Sequence, residues 1–191
     1  MRLHRRISPD LPLIVVALEE EATHLHTSDI PVLVTGIGKV NAAIATSKIL
    51  GEHTPTFIAN LGTAGALKDG LNGTYDIGTV IQHDFNDEGI FQITGLHFGE
   101  PIKLQPQGLT LATGDAFIDN PAKRDELAKR ADLVDMEGYA IAKVAKEFGV
   151  PARLVKQISD NANESADKSW KQTVDECAEI LGAWFNEHLR P

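Results

Sequence analysis

Cysteine is almost missing from this sequence. Cys177 is the only one in 191 residues, which excludes an intramolecular disulfide and any cysteine-rich zinc site and makes a reducing cytoplasm the expected compartment. Positive charge is thin as well. Eighteen Lys and Arg stand against 27 Asp and Glu, a net charge of −9, and no basic run is longer than the Arg5-Arg6 pair. Binding to a nucleic-acid backbone or an anionic membrane is therefore disfavoured. No apolar stretch approaches the roughly 20 residues of a membrane helix. The early run from Leu11 to Leu18 contains Pro12, ends in three glutamates and lacks a small-residue cleavage site, so it reads as a buried strand and not as a signal peptide. There is no internal repeat, low-complexity linker, P-loop, HExxH, GxSxG elbow or EF-hand loop. His24 and His26 are two apart on a predicted helix and so do not share a face, and the other histidines are scattered. No metal site is expected.

What is present is ordinary globular composition, 42% hydrophobic and 24% charged, in a chain of about one domain by the length prior of roughly 150 residues each. Residues 1–191 are accordingly expected to form one domain. Apolar, β-branched runs alternate with helical patterns, which predicts an α/β fold. Strands are expected at Leu13 to Leu18, Val32 to Thr35, Thr56 to Asn60, Thr79 to His83, Leu109 to Thr113 and Ala152 to Gln157, with a weaker one at Gly89 to Thr94. Helices are expected at Glu19 to Leu25, Lys39 to Gly51, Pro121 to Arg130, Glu137 to Phe148 and Ser169 to Leu189. In the last, Trp170, Val174, Cys177, Leu181, Trp184 and Leu189 form an amphipathic stripe behind a Ser169 cap.

Polar and glycine-rich residues gather where the strands end: LEEEA after the first, TGIGK after the second, NLGTAGAL after the third, TGDAFID after the fifth and ISDNAN after the sixth. That rim of an α/β sheet is where small ligands bind, because its loops are held by rigid strands yet free of packing duties. TGIGKVNAA begins like a GxGxxG pattern, but the third position is Asn41 and the strand is the second, not the first. A nicotinamide or flavin site is disfavoured, and a tight turn before a packed helix explains Gly36 and Gly38 equally well.

LEEEA (Leu18 to Ala22), TGIGKVNAA (Thr35 to Ala43), NLGTAGAL (Asn60 to Leu67), TGDAFI (Thr113 to Ile118), DMEGYAIA (Asp135 to Ala142) and ISDNAN (Ile158 to Asn163) resemble, in order, the signatures of the 5′-methylthioadenosine/S-adenosylhomocysteine nucleosidases of the purine nucleoside phosphorylase superfamily. The resemblance runs from Leu13 to the last helix and is weakest between Leu67 and Leu109, a segment shorter than the family's. It implies a three-layer α/β/α fold with a mixed central sheet, like that of the nucleoside phosphorylases, and a cofactor-free cytoplasmic hydrolase that works as a homodimer.

The resemblance also implies roles. Cleaving an N-glycosidic bond builds positive charge on the ribose and negative charge on the purine, so the enzyme must protonate the base, stabilise the sugar and deliver water. Asp160 matches the general acid and Ser159 its orienting neighbour; Glu21 matches the water-activating base. Glu137 would accept hydrogen bonds from the ribose hydroxyls, with Met136 packed on the sugar and Thr63 near it. Phe117 would stack on the purine while the backbone of Ile118 reads its edge, and Leu18 and Trp170 would cover the 5′ group. The residues taken singly admit other readings: Asp160 as a turn aspartate, Glu137 as a helix cap, Trp170 as the first rung of the last helix's stripe. Three glutamates at the first strand end, and no arginine between Arg6 and Arg124, leave nothing in the NLGTAGAL region to clamp a phosphate bidentately, which favours hydrolysis over phosphorolysis. The expected substrate is methylthioadenosine or S-adenosylhomocysteine. The alternatives are another purine nucleoside or nucleotide such as futalosine or AMP, a phosphorylase activity, or a nucleoside-binding protein without turnover.

Overall fold

The computed structural model describes residues 1–25, 29–163 and 166–189, the side chains of residues 167–172 apart. The alternation of the second strand sets the layers. In β2 (Leu13–Val16), Leu13 and Val15 point into one apolar cluster while Ile14 and Val16 point into another, as the two-residue period of a strand requires. On the first face lie α2 (Lys39–Leu50) and α5 (Gly138–Glu147), on the second α1 (Glu19–Ala22) and α6 (Ala166–His188). Helices on both faces of a mixed sheet make the expected three layers.

Among the described residues the sheet has nine strands, which include β1 (Arg2–His4), β3 (Val32–Val34), β4 (Ile58–Ala66), β5 (Thr74–Gln82) and β6 (Ile102–Lys103), followed by β7 (Leu109–Thr113), β8 (Leu133–Asp135) and β9 (Ala152–Asp160). They run β1-β3-β2-β4-β8-β7-β5-β6, and β9 bonds to both β4 and β5. The strands β4, β8, β7, β5 and β9 therefore close on themselves as a ring, with β2, β3 and β1 fanning out from β4. Closure makes the sheet more barrel-like than an open α/β sheet and turns the ends of β4, β7, β8 and β9 toward one another.

The expected strand at Gly89 to Thr94 is a correction: this stretch belongs to a helix, α3 (Asp87–Thr94). The Asn86 side chain accepts from Gly89 N at 3.0 Å, Asp87 and Glu88 occupy the first turn, and Gly95 ends it in the left-handed conformation at φ 70°. Caps at both ends outweigh the apolar residues between them, none of which is buried. Three short strands escaped the sequence analysis, β1, β6 and β8, because two or three residues are too few to display a period. The strand β4 extends to Ala66, through glycines that mimic a loop, and β9 reaches Asp160. The last helix begins at Ala166, ahead of the expected Ser169, and buries Val174, Cys177 and Leu181. No helix among the described residues is long and apolar enough to cross a membrane.

Candidate active site

A cavity of about 270 Å³ opens where α1 begins and β4, β8 and β9 end, near the small end of the range typical for small-molecule pockets. Nine of the ten residues singled out from the sequence line it: Leu18, Glu21, Thr63, Phe117, Ile118, Met136, Glu137, Ser159 and Asp160. The tenth, Trp170, lies in α6 with its side chain outside the described residues.

Glu21 is buried in the short helix α1 and accepts at both oxygens. Oε2 takes the backbone N–H groups of Ala17 (3.0 Å) and Leu18 (3.3 Å), closing back on the helix start, while Oε1 takes Thr63 N (2.9 Å) and Thr63 Oγ1 (3.2 Å). Four donors from two elements fix the carboxyl group and leave it acting as an acceptor. The helix-start reading of the three glutamates fits Glu19, which meets Arg2 and His4 at the surface.

Asp160 owes its place to a bulge. The strands β4 and β9 pair in register to Ala64↔Ile158 and then slip, so that Gly65 faces Asp160 and Ser159 is the extra residue. A Cβ on Gly65 would stand 3.0 Å from Asp160 Oδ1 and 3.2 Å from Val134 Cγ1; glycine makes the room the carboxyl group occupies. Ser159 Oγ donates to Oδ2 and Ala162 N to Oδ1, both at 2.8 Å. Burial nevertheless outweighs these two donors and pushes the carboxyl group above its ordinary range, so it holds a proton more readily than a surface aspartate.

Glu137 precedes α5 without capping it, because the Asp135 side chain receives Gly138 N at 2.8 Å instead. The Glu137 carboxyl group turns into the cavity, where Oε1 accepts Gly38 N at 2.8 Å. Gly36 and Gly38 both have positive φ, 92° and 96°, so the TGIGK turn bends to present an amide to a carboxylate and not to a phosphate. Desolvation first, and repulsion from Asp135 second, push Glu137 up to about 8, against the pull of Lys156 and the Gly38 N–H.

The loop 114–118 forms the outer wall. Phe117 is about half exposed at the mouth, whereas the Ile118 side chain is buried against Leu127 and Val134, leaving its backbone at the cavity. Asp115 anchors the loop: its Oδ1 accepts Lys39 N at 2.7 Å and its own N donates to Asp84 Oδ2 at 2.9 Å, while Lys39 Nζ reaches Asp84 Oδ1 at 2.5 Å. Sequence reasoning missed this tie, and also missed Lys156, whose buried ammonium meets Asp135 Oδ2 at 2.9 Å behind the cavity. A lone lysine in the apolar run RLVKQI was the available signal. No cluster of metal-ligating side chains occurs among the described residues.

The chain matches the phosphorylase superfamily model over residues 9–109 and 98–187. A 5′-methylthioadenosine/S-adenosylhomocysteine nucleosidase of Bacillus velezensis is 32% identical, the match covering 78% of this chain and 76% of that protein; the Bacillus subtilis enzyme of the same name is 31% identical over 79% and 76%. Among solved structures, futalosine hydrolase of Helicobacter pylori superposes with a TM-score of 0.82 at 22% identity, covering 93% of this chain and 96% of that one. A Helicobacter pylori 5′-methylthioadenosine/S-adenosylhomocysteine nucleosidase gives 0.78 at 21%, covering 93% and 97%.

Proposed function

Because the chain belongs to the 5′-methylthioadenosine/S-adenosylhomocysteine nucleosidase family of the phosphorylase superfamily, and is thereby an N-glycosyl hydrolase, we propose that it hydrolyses 5′-methylthioadenosine or S-adenosylhomocysteine in this cavity, as one nucleosidase-like domain of the cytoplasm, to adenine and the thioribose. One observation carries the reading: a single cavity holds a carboxyl group biased toward its proton, Asp160, and one that accepts from four donors, Glu21. That pairing of acid and base is what glycoside cleavage by water asks for.

In the reaction Asp160 gives its proton to the five-membered ring of the purine as the bond to the ribose breaks. Glu21 takes a proton from the attacking water, whose oxygen bonds to the sugar carbon. Glu137 accepts the ribose hydroxyls, Met136 and Thr63 flank the sugar, Phe117 stacks on the base, and the Ile118 backbone reads its edge. Leu18, and Trp170 at the start of α6, cover the 5′ group. Among the described residues the cavity lining offers no cation to a phosphate, and Lys156 is sealed against Asp135, which supports water as the nucleophile. No cofactor enters the scheme.

The apolar residues around the mouth support a homodimer. Val40 and Ile44, one turn apart on α2, are 66% and 63% exposed, and they continue the apolar wall made by Ile37 and Phe117. A second copy seated there would close the 5′ end of the pocket.

Purified protein incubated with methylthioadenosine, adenosine, inosine, futalosine or AMP, each with and without phosphate, tests the proposal through release of free base. Adenine from methylthioadenosine with a free reducing sugar, at a rate indifferent to phosphate, is expected. A ribose 1-phosphate as main product, or turnover of futalosine or AMP in preference, would replace this reading.

A further inference from the structure

Lys156 is fully buried in β9, beside Asp160 in sequence yet sealed from the cavity. Its ammonium meets Asp135 Oδ2 at 2.9 Å. Across the ladder stands Gly62 of β4, and the missing side chain there is shared: a Cβ would lie 3.3 Å from Lys156 Nζ and 3.2 Å from Glu21 Oε1. The charged groups acting on the ammonium are Glu21 from α1, Asp135 from β8 and Glu137 ahead of α5, with Tyr75 opposite Lys156 across the ladder in β5; on α6 the buried neutral thiol of Cys177 faces Glu21 and Asp160. Desolvation works to strip the ammonium of its proton, but Asp135, Glu137 and Glu21 together overcome it, so the cation persists.

Hydrogen bonding alone does not require this cation. Asp135 already receives Thr113 Oγ1 on Oδ1 and Gly138 N on Oδ2, and a buried ion pair is often no more stabilising than apolar side chains of the same volume. What a lysine supplies here, and an apolar residue would not, is one positive charge among three carboxyl groups shielded from water.

We propose that Lys156 is a positioning residue for the hydrolysis: without touching substrate, its ammonium clamps Asp135 at the head of α5, which sets Glu137 in place, and it offsets the negative charge that Asp135 and Glu137 bring together. The inference rests on the nucleosidase reading. Glu137 must be ionised to accept two ribose hydroxyls, and burial and Asp135 push it up to about 8 even with Lys156 pulling the other way; with the ammonium gone that pull is lost and ionisation moves to still higher pH.

The test is the pH dependence of kcat/KM on methylthioadenosine for the wild type, Lys156→Met, Lys156→Gln and Lys156→Arg. In the Met and Gln variants the acidic limb moves up by at least one pH unit, so activity at pH 7 falls about tenfold or more and recovers as pH rises; the Arg variant keeps the wild-type limb. Carbon-13 spectra of the glutamate carboxyl groups read the same shift without turnover, with Glu137 titrating at higher pH in both neutral variants. That arm stands even if the wild type releases no base from methylthioadenosine, an outcome that defeats the proposed function alone. Neutral variants that fold and keep the wild-type limb and titrations overturn the inference. So does a failure of both neutral variants to fold while Lys156→Arg folds, which assigns Lys156 to the fold only.

Discussion

Asp160 and Glu137 are both buried carboxyl groups pushed above their ordinary range, and the two shifts serve opposite ends. For Asp160 the retained proton is the reagent. Asp160→Asn keeps the size and one donor but has no proton to give, so kcat should fall at least a hundredfold while adenine binding, measured by calorimetry, stays within a few fold; near-normal turnover removes Asp160 from the acid role. For Glu137 the raised value is a cost to the empty enzyme. A folded-state carboxyl that titrates near 8 instead of 4.5 binds its proton more tightly folded than unfolded, so its contribution is complete below about pH 4.5 and is lost as pH rises toward 8. Asp160 acts in the same direction. Glu137→Gln should therefore raise the melting temperature at pH 9 by several degrees, where each 1 kcal/mol is roughly 2–4 °C for a chain of this size, and change it little at pH 4.5, while destroying turnover. An equal change at both pH values would show that Glu137 carries no strain of this kind. In the native enzyme the ribose hydroxyls favour the ionised carboxyl group, so nucleoside binding should tighten as pH rises through about 8.

Elements position these groups through places where side chains are absent or loops are tied. The β4/β9 bulge works only because Gly65 has no side chain opposite Asp160. Gly65→Ala should cost about 1–3 kcal/mol from overpacking and, by displacing the carboxyl group, lower kcat out of proportion to that loss; retained kcat would mean that Asp160 has slack. The Asp84 tie is a different device. Asp84 holds Lys39 Nζ and Asp115 N at once, and although burial alone would raise its carboxyl group, these partners bring it below the ordinary range. It thereby links the head of α2, the end of β5 and the loop bearing Phe117. Asp84→Ala should loosen the purine wall, raising KM several fold while kcat changes less than twofold, because no proton-transfer group is touched. A fall in kcat with unchanged KM would contradict that assignment.

At the scale of the whole molecule, large apolar side chains stand exposed on α2 and around α3, two elements that the Asp84–Lys39 tie brings together. Besides Val40 and Ile44, the short helix α3 buries nothing and is followed by Leu96 and Phe98, 60% and 55% exposed; it begins just after Asp84, which is bonded to the head of α2. A solvated monomer rarely leaves so much apolar surface in one region. Sedimentation should give a homodimer at micromolar concentration, and Ile44→Asp should shift it toward a 20.7 kDa monomer with KM for methylthioadenosine raised more than that for adenosine, since only the former needs its thiomethyl group covered. A fully active wild-type monomer would show that the pocket is complete within one chain.

Strand and helix identity was legible wherever a period had room to repeat: Leu13–Val16, Lys39–Leu50 and Ala152–Asp160 declare themselves through side-chain alternation or helical spacing, a local property of the chain. The polar residues waiting at the strand ends were legible too and marked a small-ligand rim, but Glu21, Glu137 and Asp160 could be named only through the resemblance of their motifs to a known family, since singly they read as a helix start, a helix cap and a turn aspartate. Local pattern fails where context decides. Asp87–Thr94 reads as a strand by composition but is held as a helix by its caps, and Leu133–Asp135 is too short to show a period although it delivers Asp135 to the site. The closing of β4, β8, β7, β5 and β9 into a ring, the slip that sets Asp160 against Gly65, and the meeting of Lys156 with three carboxyl groups all join residues far apart in the chain. The sequence determined which side chains stand at the ends of the strands. Only the tertiary structure decided which of them share one cavity, because burial and the charges of neighbours, which set what a carboxyl group can do, are properties of packing and not of order along the chain.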